Sequence, residues 1–314
     1  MKQFTSSILM IEPVDFRFNT ETAVNNYFQM QPTESAETTQ ENALKEFTAM
    51  VAKLRDHGIE VIVLQDTPKP HTPDSIFPNN WISFHENKSV ALYPMFAKNR
   101  REERREAEVL ELLSEHGFAA EEIYDYTEAE QEDIFLEGTG SIILDRTHKI
   151  AYAAISARTD AELFQEFCKD FKYKPVLFTA YQTVKDQRLP IYHTNVMMCV
   201  ADEYAVICLS TLDNQAEHQK VVRQLQETDK EIIDITEEQM HHFAGNMLQV
   251  GGQGNDKYLV MSQTAYDSLT KEQIETIKKY NPIITVDIST IETQGGGSAR
   301  CMMAEVFLPK KQLE

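Results

Sequence analysis

The sequence is poor in cysteine: four of its 314 residues are cysteines, and none of them forms a Cys-x-x-Cys pair. This argues against a zinc or thioredoxin-like site, and we expect no metal and no cofactor. The sequence also lacks an apolar run near the ~20 residues that span a bilayer, and its start lacks the apolar segment of a signal peptide. We therefore expect a cytoplasmic protein with reduced thiols and no membrane partner.

Basic residues are scarce as well. The 30 Lys and Arg residues face 50 Asp and Glu residues, which gives a formal net charge of −20. Such a surface repels nucleic acid and anionic membranes, so nucleic-acid partners are excluded. A composition of 42% hydrophobic and 25% charged residues is typical of a soluble globular protein. The expected partner is a small molecule, and the sequence leaves homo-oligomer formation open.

A repeated pattern, in contrast, is present along the whole chain: an amphipathic helix leads into a short β-rich strand. Helices are predicted at 41–57, 101–116, 160–171, 214–228 and 270–280, and the strands after them are centred on Val61, Ile123, Val176, Ile232 and Ile284. The first helix would turn Leu44, Phe47 and Leu54 toward the core. The strand centres lie roughly 50 to 60 residues apart, a period typical of repeated supersecondary units.

Each of the first four strands is followed by a hairpin-like pair of β segments. The fifth unit has a single segment at 302–308, and we expect the N-terminal strand at 7–11 to be its partner. This pairing would close a ring and remove exposed strand edges. The sequence thus predicts an α/β fold in a single domain over 1–314, built as a five-bladed α/β propeller of ββαβ units. An open α/β sheet is the alternative.

Polar residues recur at one stage of each unit, where the inner strand turns into the hairpin. They are Asn80, Glu137, His193, Asn246 and Cys301. Equivalent points of a closed ring converge on its axis. The shared position therefore indicates one central site, and it is stronger evidence than any single motif.

Cys301 follows a run of glycines and stands next to Arg300. Glycines permit close approach of the backbone to a ligand, and a neighbouring positive charge favours the thiolate, which is the reactive form. We therefore interpret Cys301 as a nucleophile, the alternative being a structural cysteine at the start of a strand. The other cysteines, Cys168, Cys199 and Cys208, lie in helix and strand patterns and are predicted to be core residues.

Two further residues fit acid–base chemistry. His193 is placed to act as general acid and base toward the thiol and the leaving amine, although a lone histidine is usually structural. Glu137, which stands beside two glycines, would hydrogen-bond a substrate N–H; a glutamate that merely ends a loop fits the pattern equally well. The pair His241-His242 has no neighbours that complete a metal ligand set.

The motifs around these residues resemble the guanidino-group-modifying superfamily of arginine deiminase, dimethylarginine dimethylaminohydrolase and the amidinotransferases. The His-Thr-Asn motif at 193–195 is similar to the family's His-x-Asp, the Leu-Glu-Gly-Thr-Gly motif at 136–140 to its Glu-Gly-Gly-Asp, and the segment before Cys301 to its Gly-Gly-x-x-Arg-Cys. The resemblance spans nearly the whole chain. It implies the pentein fold, a five-bladed ring of ββαβ units around a central site, with Cys301, His193 and Glu137 as catalytic residues.

The same resemblance implies the residues that hold the substrate. Arg158, in a Ser-x-Arg-Thr segment, would bind the α-carboxylate, and Asp74, in a Pro-Asp-Ser-Ile-Phe segment, would bind the α-amino group. The Arg-Arg-x-Glu region at 100–103 implies a second carboxylate contact, which we assign to Arg101, with Arg100 as the alternative. From the residues alone, Arg158 fits equally well as a surface arginine before a helix capped by Asp160.

Two positions depart from the family pattern, because Asn80 and Asn195 stand where arginine deiminases carry aspartate. Asparagine attracts a guanidinium cation much less, but it offers an N–H donor to the C=O of a neutral ureido group. A mispaired buried polar group costs ~1–3 kcal/mol, so two such replacements favour citrulline over arginine. A third departure, Thr139-Gly140 in place of Gly-Asp, has no interpretation from the sequence.

Within the superfamily, the Asp-x-x-Phe-Pro-Asn-Asn-Trp loop at 74–81 is most similar to the citrulline-utilisation hydrolases. The sequence therefore predicts a hydrolase that uses a cysteine nucleophile to convert citrulline to ornithine, carbon dioxide and ammonia. The residues predicted to hold this substrate are Asp74, Asn80, Asn195, Arg158 and Arg101. The alternatives are an arginine deiminase or dimethylarginine dimethylaminohydrolase, an amidinotransferase, and a non-catalytic amino-acid sensor.

Overall fold

Short strands and helices alternate along residues 2–311, the part of the chain that this computed structural model describes. Met1 and 312–314, which the predicted single domain includes, lie outside the described residues. The strands are β1 (Ser7–Glu12), β2 (Glu60–Gln65), β3 (Ile82–Phe84), β4 (Ser89–Leu92), β5 (Glu122–Asp125), β6 (Ile142–Asp145), β7 (Ile150–Ala154), β8 (Lys174–Phe178), β9 (Tyr181–Val184), β10 (Gln187–Pro190), β11 (Met198–Val200), β12 (Tyr204–Ile207), β13 (Glu231–Asp234), β14 (Leu248–Gly251), β15 (Lys257–Ser262), β16 (Ile283–Val286) and β17 (Ala304–Glu305).

Helices connect these strands. The α-helices are α1 (Ala36–Asp56), α2 (Lys98–Arg101), α3 (Glu106–Glu115), α4 (Gly138–Ser141), α5 (Ala161–Asp170), α6 (Gln215–Gln226), α7 (Glu237–His241), α8 (Gln263–Ser268), α9 (Lys271–Lys278) and α10 (Ser289–Gly295). Short 3₁₀ turns lie at Pro78–Asn80, Thr127–Glu132, Thr194–Val196 and Leu209–Thr211. No helix among the described residues is long and apolar enough to cross a membrane.

Five three-stranded sheets share one topology. Their strand orders are β3-β4-β5, β6-β7-β8, β11-β12-β13, β14-β15-β16 and β17-β1-β2. In each sheet the first two strands pair antiparallel and the third runs parallel to the second. The predicted succession of hairpin, helix and strand is thus confirmed in all five units, and the structure adds that the last strand runs parallel to its neighbour. The separate hairpin β9-β10 was not predicted from the sequence.

The N-terminal strand β1 joins the two ends of the chain. It pairs antiparallel with β17, where Ile8 faces Glu305, and parallel with β2, where Ile8 faces Val61. The predicted partner of the incomplete fifth unit is therefore confirmed. The first strands of several units lie beside one another, as β3 does beside β17 and β6 beside β11. No hydrogen-bonded sheet closes on itself within residues 2–311, and the fold is α/β.

Side-chain caps set where several helices begin. Ser35, Asp160, Asn214 and Thr270 each accept hydrogen bonds from backbone N–H groups of the first helical turn. These donors lack partners within the helix, so a capping oxygen fixes the starting residue. Helix α1 consequently begins five residues before the predicted position at 41.

Two details of the predicted helices were wrong. The helix expected at 101–116 is divided into α2 and α3, and the buried side chains of Arg100 and Glu103 pair with each other at the break. Leu44 is 36% exposed rather than turned to the core, whereas Phe47 and Leu54 are buried as expected. The apolar face of α1 is therefore rotated slightly from the one that the sequence indicated.

We expect Leu9→Ala in β1 to lower the free energy of unfolding by about 3 kcal/mol, the usual cost of a cavity at a fully buried leucine. Leu9 has no exposed surface and packs between sheets. Leu44→Ala, on the exposed side of α1, is the matched control and should cost less than about 1 kcal/mol. Chemical denaturation measures both, and equal losses would contradict a central role for β1.

Candidate active site

The side chains predicted to converge come from the loops that precede the first strands of the five units. Asn80 precedes β3, Glu137 precedes α4 and β6, His193 precedes β11, Asn246 precedes β14 and Cys301 precedes β17. All five are at most 3% exposed. The structure therefore gathers residues that lie far apart along the chain into the interior.

The sulfur of Cys301 is held by two amide groups. Asn195 Nδ2 and Asn246 Nδ2 each lie 3.2 Å from Sγ and donate to it. Arg300, which was expected to favour the thiolate, turns away: its guanidinium donates to Glu305 Oε2 at 2.6 Å and to the carbonyl of Met303. The groups that favour a negative sulfur are thus the amides and not the neighbouring arginine.

His193 and Glu137 form a buried pair. His193 Nε2 lies 2.7 Å from Glu137 Oε2, and Arg158 Nη1 donates to the same oxygen at 3.4 Å. The other carboxylate oxygen accepts the backbone N–H of Phe96 at 2.9 Å. Because Nε2 is committed to Glu137, Nδ1 is the ring nitrogen left for proton exchange.

The charges of this pair follow from its surroundings. Burial alone would raise the pKa of Glu137, but Arg158 and the hydrogen bond from His193 outweigh burial and hold that pKa well below its usual range. Burial lowers the pKa of His193 to about 4, and Glu137 offsets only part of this effect. At neutral pH the site therefore contains an ionised carboxylate and a neutral imidazole.

One small cavity joins the candidate residues. Its walls include Asp74, Asn80, Arg158, His193 and Cys301. The cavity has a volume of about 10 Å³, the space of about one water molecule. Asn195 and Glu137 stand directly behind this wall, in contact with Cys301 and His193.

A loop between β1 and α1 covers the cavity and occupies two of its charged groups. Asp74 Oδ2 accepts hydrogen bonds from Asn19 Nδ2 at 2.8 Å and from Thr22 Oγ1 at 3.2 Å. The Arg158 guanidinium donates to the Thr22 carbonyl at 3.0 Å and to Asn25 Oδ1 at 2.5 Å. Sequence reasoning missed this covering loop, because its polar residues match no motif.

Arg101, predicted as a substrate contact, lies outside the cavity. Its Nε donates to the carbonyl of Met95, and its guanidinium lies near Glu130 and over the Phe135 ring. The neighbouring Arg100 lines the cavity instead. A helical turn directs adjacent residues to different sides, so only one of the two arginines can reach the site.

The structure explains the departure at Thr139-Gly140. A Cβ at Gly140 would lie 2.4 Å from Asn80 Nδ2 and 2.9 Å from the His193 ring. Thr139 Oγ1 donates to the carbonyl of Asn79 at 3.2 Å. Glycine at 140 therefore lets Asn80 and His193 approach each other, and Thr139 anchors the loop that carries Asn80.

A protein-family model described as eukaryotic N,N dimethylarginine dimethylhydrolase matches residues 12–308. The chain belongs to this family. It is thus a member of the guanidino-group-modifying pentein superfamily that its motifs resemble, and a hydrolase of the kind that acts on carbon–nitrogen bonds. No curated protein matches the sequence.

Solved structures share the fold of this family member. Apo ArgZ, an arginine dihydrolase from the ornithine–ammonia cycle in cyanobacteria, superposes with a TM-score of 0.73 and 19% identity over 98% of this chain and 41% of that one. The substrate-bound N-terminal domain of an ArgZ mutant superposes with a TM-score of 0.72 and 18% identity, over 96% of this chain and 99% of that one. A dimethylarginine dimethylaminohydrolase adduct with S-methyl-L-thiocitrulline superposes with a TM-score of 0.60 and 16% identity, over 96% of this chain and 99% of that one.

The chain spans about two fifths of full-length ArgZ and nearly all of its N-terminal domain. At these identities the likeness concerns the fold. The chemistry of this chain is accordingly argued below from its own side chains.

We expect the His193 ring to titrate near pH 4 in the folded protein, well below the ordinary 6.5. The unfolded chain would take up this proton first as the pH falls, so the residue lowers stability between about pH 6.5 and pH 4. NMR of labelled histidine measures the midpoint, with His193→Gln assigning the signal and denatured protein as the control. A folded-state midpoint at 6.5 or above would contradict the described burial and pairing.

Proposed function

We propose that this protein hydrolyses the ureido group of a free citrulline-like amino acid, with Cys301 as nucleophile. One observation carries the proposal: three buried polar atoms, two on residues that line the cavity and one on Asn195 behind Cys301, have no hydrogen-bond partner in the described structure. They are Asn80 Nδ2, Asn195 Oδ1 and Asp74 Oδ1. Buried polar atoms are almost always paired, so unpaired ones beside a cavity indicate where a ligand bonds.

The orientation of Asn80 favours a neutral head group. Arg100 Nη1 donates to Asn80 Oδ1 at 2.8 Å, and Arg100 is itself fixed by two hydrogen bonds to Glu103. Since guanidinium has only donors, it can pair only with the oxygen of the amide. The free group of Asn80 is consequently the N–H donor.

Asn195 is oriented in the opposite sense. Its Nδ2 donates to Cys301 Sγ, which leaves Oδ1 as a free acceptor. Asn80 and Asn195 together offer one donor and one acceptor. A ureido group needs this combination, because it carries a C=O acceptor and N–H donors. A guanidinium carries donors alone, and the free N–H of Asn80 would face it unpaired, at a cost of ~1–3 kcal/mol.

The reaction follows from these positions. The sulfur of Cys301 bonds to the ureido carbon, and the Asn80 N–H stabilises the charge that develops on the ureido oxygen. As the sulfur attacks, His193 Nδ1 takes the proton of the Cys301 thiol and passes it to the departing nitrogen when the carbon–nitrogen bond breaks, while Glu137 holds the imidazole at Nε2. His193 then takes a proton from water, which attacks the carbon and releases the sulfur. The carbamate formed in this step then loses its remaining nitrogen, so that citrulline and one water give ornithine, carbon dioxide and ammonia.

The amino-acid end of the substrate would meet Asp74 and Arg158. The free Asp74 Oδ1 suits an α-ammonium group, and the Arg158 fork suits an α-carboxylate. Both residues are bonded to the covering loop through Thr22 and its neighbours. Substrate binding thus requires these loop contacts to be exchanged for substrate contacts. Arg101 has no part in this arrangement.

The remaining sequence-based predictions belong with this proposal. We infer a single domain in which the five sheets surround the site as blades of a propeller, closed by β1. The equivalent origin of the site residues, each from the loop before a first strand, supports this arrangement. The protein would act in the cytoplasm on a small molecule without metal or cofactor.

Arginine is the second candidate substrate. ArgZ is an arginine dihydrolase, and the likeness of the whole chain to its N-terminal domain favours this possibility. Dimethylarginine is a further candidate substrate because the family description names it. Amidino transfer is a further candidate reaction because the superfamily includes amidinotransferases. The donor at Asn80 argues against all three guanidino substrates.

A substrate panel tests the proposal. We expect the purified protein to release ammonia and ornithine from citrulline and little from arginine or dimethylarginine. Cys301→Ser should reduce citrulline turnover by several orders of magnitude, because the nucleophile is lost, while Cys168→Ser should leave it nearly unchanged. Ornithine formed from arginine but not from citrulline would instead establish the dihydrolase candidate, and transfer to added glycine would establish amidino transfer.

Asn80→Asp should lower kcat/KM for citrulline by about 10- to 100-fold, because a carboxylate would face the ureido oxygen without a donor. Asn80→Ala, which removes the donor without adding charge, should cost less. The exposed substitution Asn255→Asp controls for the added charge. Steady-state kinetics of the three variants measure the effect, and an undiminished kcat/KM in Asn80→Asp would refute the assigned donor.

A further inference from the structure

Asn246 occupies the fourth unit's position in the site but belongs to no recognised motif of the sequence. It is fully buried, and each polar group of its side chain is used. Nδ2 donates to Cys301 Sγ at 3.2 Å and to the carbonyl of Asn195 at 3.1 Å, while Oδ1 accepts the backbone N–H of Arg300 at 3.0 Å. Asn246 therefore contacts the sulfur and both segments that flank it.

The local backbone brings Asn246 to this position. After α7 the chain turns at Phe243, which has a φ of 63°, and continues through Gly245. A Cβ at Gly245 would lie 2.3 Å from the carbonyl oxygen of Val196. Only glycine allows the segment to pack against the backbone that follows Asn195, so the approach of Asn246 to the sulfur is built into the fold.

The donors at the sulfur indicate what Asn246 does. A neutral thiol is a weak acceptor and needs to place its own proton, whereas a thiolate accepts several N–H donors. Asn195 and Asn246 supply two such donors, and Arg300, the nearest cation in sequence, is engaged with Glu305. Two amide dipoles thus direct their N–H groups at the sulfur in a buried setting.

We propose that Asn246 is a positioning residue that stabilises the thiolate of Cys301 and holds it, through Asn195 and Arg300, in line with the cavity. This inference rests on the proposed role of Cys301 as nucleophile. A purely structural alternative assigns the three hydrogen bonds to joining β11, β14 and β17, with no influence on the state of the sulfur.

The experiment measures alkylation of Cys301 by iodoacetamide between pH 7 and about pH 10, which brackets the ordinary range of a cysteine. Mass spectrometry of the Cys301 peptide separates it from the other three cysteines, for which burial raises the pKa to about 11 or 12. No substrate is needed, so the result does not depend on whether citrulline is turned over.

We expect Asn246→Ala to alkylate about tenfold or more slowly than the native protein at pH 7, because a hydrogen bond to a charged group is lost. The difference between the two rates should narrow toward pH 10, which lies above the ordinary pKa of a cysteine. Asn246→Asp, which keeps the size of the side chain and adds a negative charge, should be slower still at pH 7. It serves as the second variant if Asn246→Ala does not fold.

Asn281→Ala is the matched control. Asn281 is a buried asparagine that bonds Tyr204 and Gln249, away from the sulfur. Its loss should reduce stability without changing alkylation. Equal rates for the native protein and both Asn246 variants at pH 7, or the same reduction at every pH, would overturn the proposal. Citrulline turnover by Cys301→Ser would instead overturn the proposed function and leave the alkylation result standing.

Discussion

The buried carboxylate of Glu137 is the charge around which the site is organised. An ionised group without solvent is stable only when it is paired and hydrogen-bonded, and Glu137 meets this condition through three separate parts of the chain. Phe96 supplies a backbone N–H, Arg158 a cation and His193 an imidazole N–H. The carboxylate therefore fixes both Arg158 and the catalytic candidate His193, which share one of its oxygens, and both orientations depend on its charge.

Hydrogen bonds to fixed partners also orient the amide groups of Asn80 and Asn195. An asparagine side chain carries both an acceptor oxygen and a donor NH₂ group, and a fixed partner at one of them leaves the other for a ligand. Arg100 takes the oxygen of Asn80, and the sulfur of Cys301 takes the nitrogen of Asn195. The free ends become a donor and an acceptor. An aspartate at either position would offer acceptors only, so the proposed preference for a ureido over a guanidino group rests on these two residues and the partners that orient them.

What could be predicted from the sequence depends on local pattern. The period of the repeat indicated all five sheets and the shared position of the site residues, and the capping residue Asp160 marked a helix start within one residue. Long-range contacts between side chains could not be predicted. Arg300 is next to Cys301 in sequence, but its guanidinium bonds to the carboxylate of Glu305 and not to the sulfur. The position of Asn246 depends on the space that Gly245 leaves against a neighbouring unit, a contact that no local pattern records.

The covering loop resolves a difficulty that buried charges create in a narrow site. Asp74 and Arg158 would be poorly solvated in a cavity with space for about one water molecule, and leaving them unpaired would be costly. Asn19, Thr22 and Asn25 pair with them instead. In the proposed function these bonds are broken when the substrate binds. The α-amino and α-carboxylate groups of the substrate, its tail, therefore contribute to the binding free energy only the difference between two sets of hydrogen bonds. Discrimination among amino acids that share the same tail then falls to the head group, where the two asparagines still have unpaired atoms.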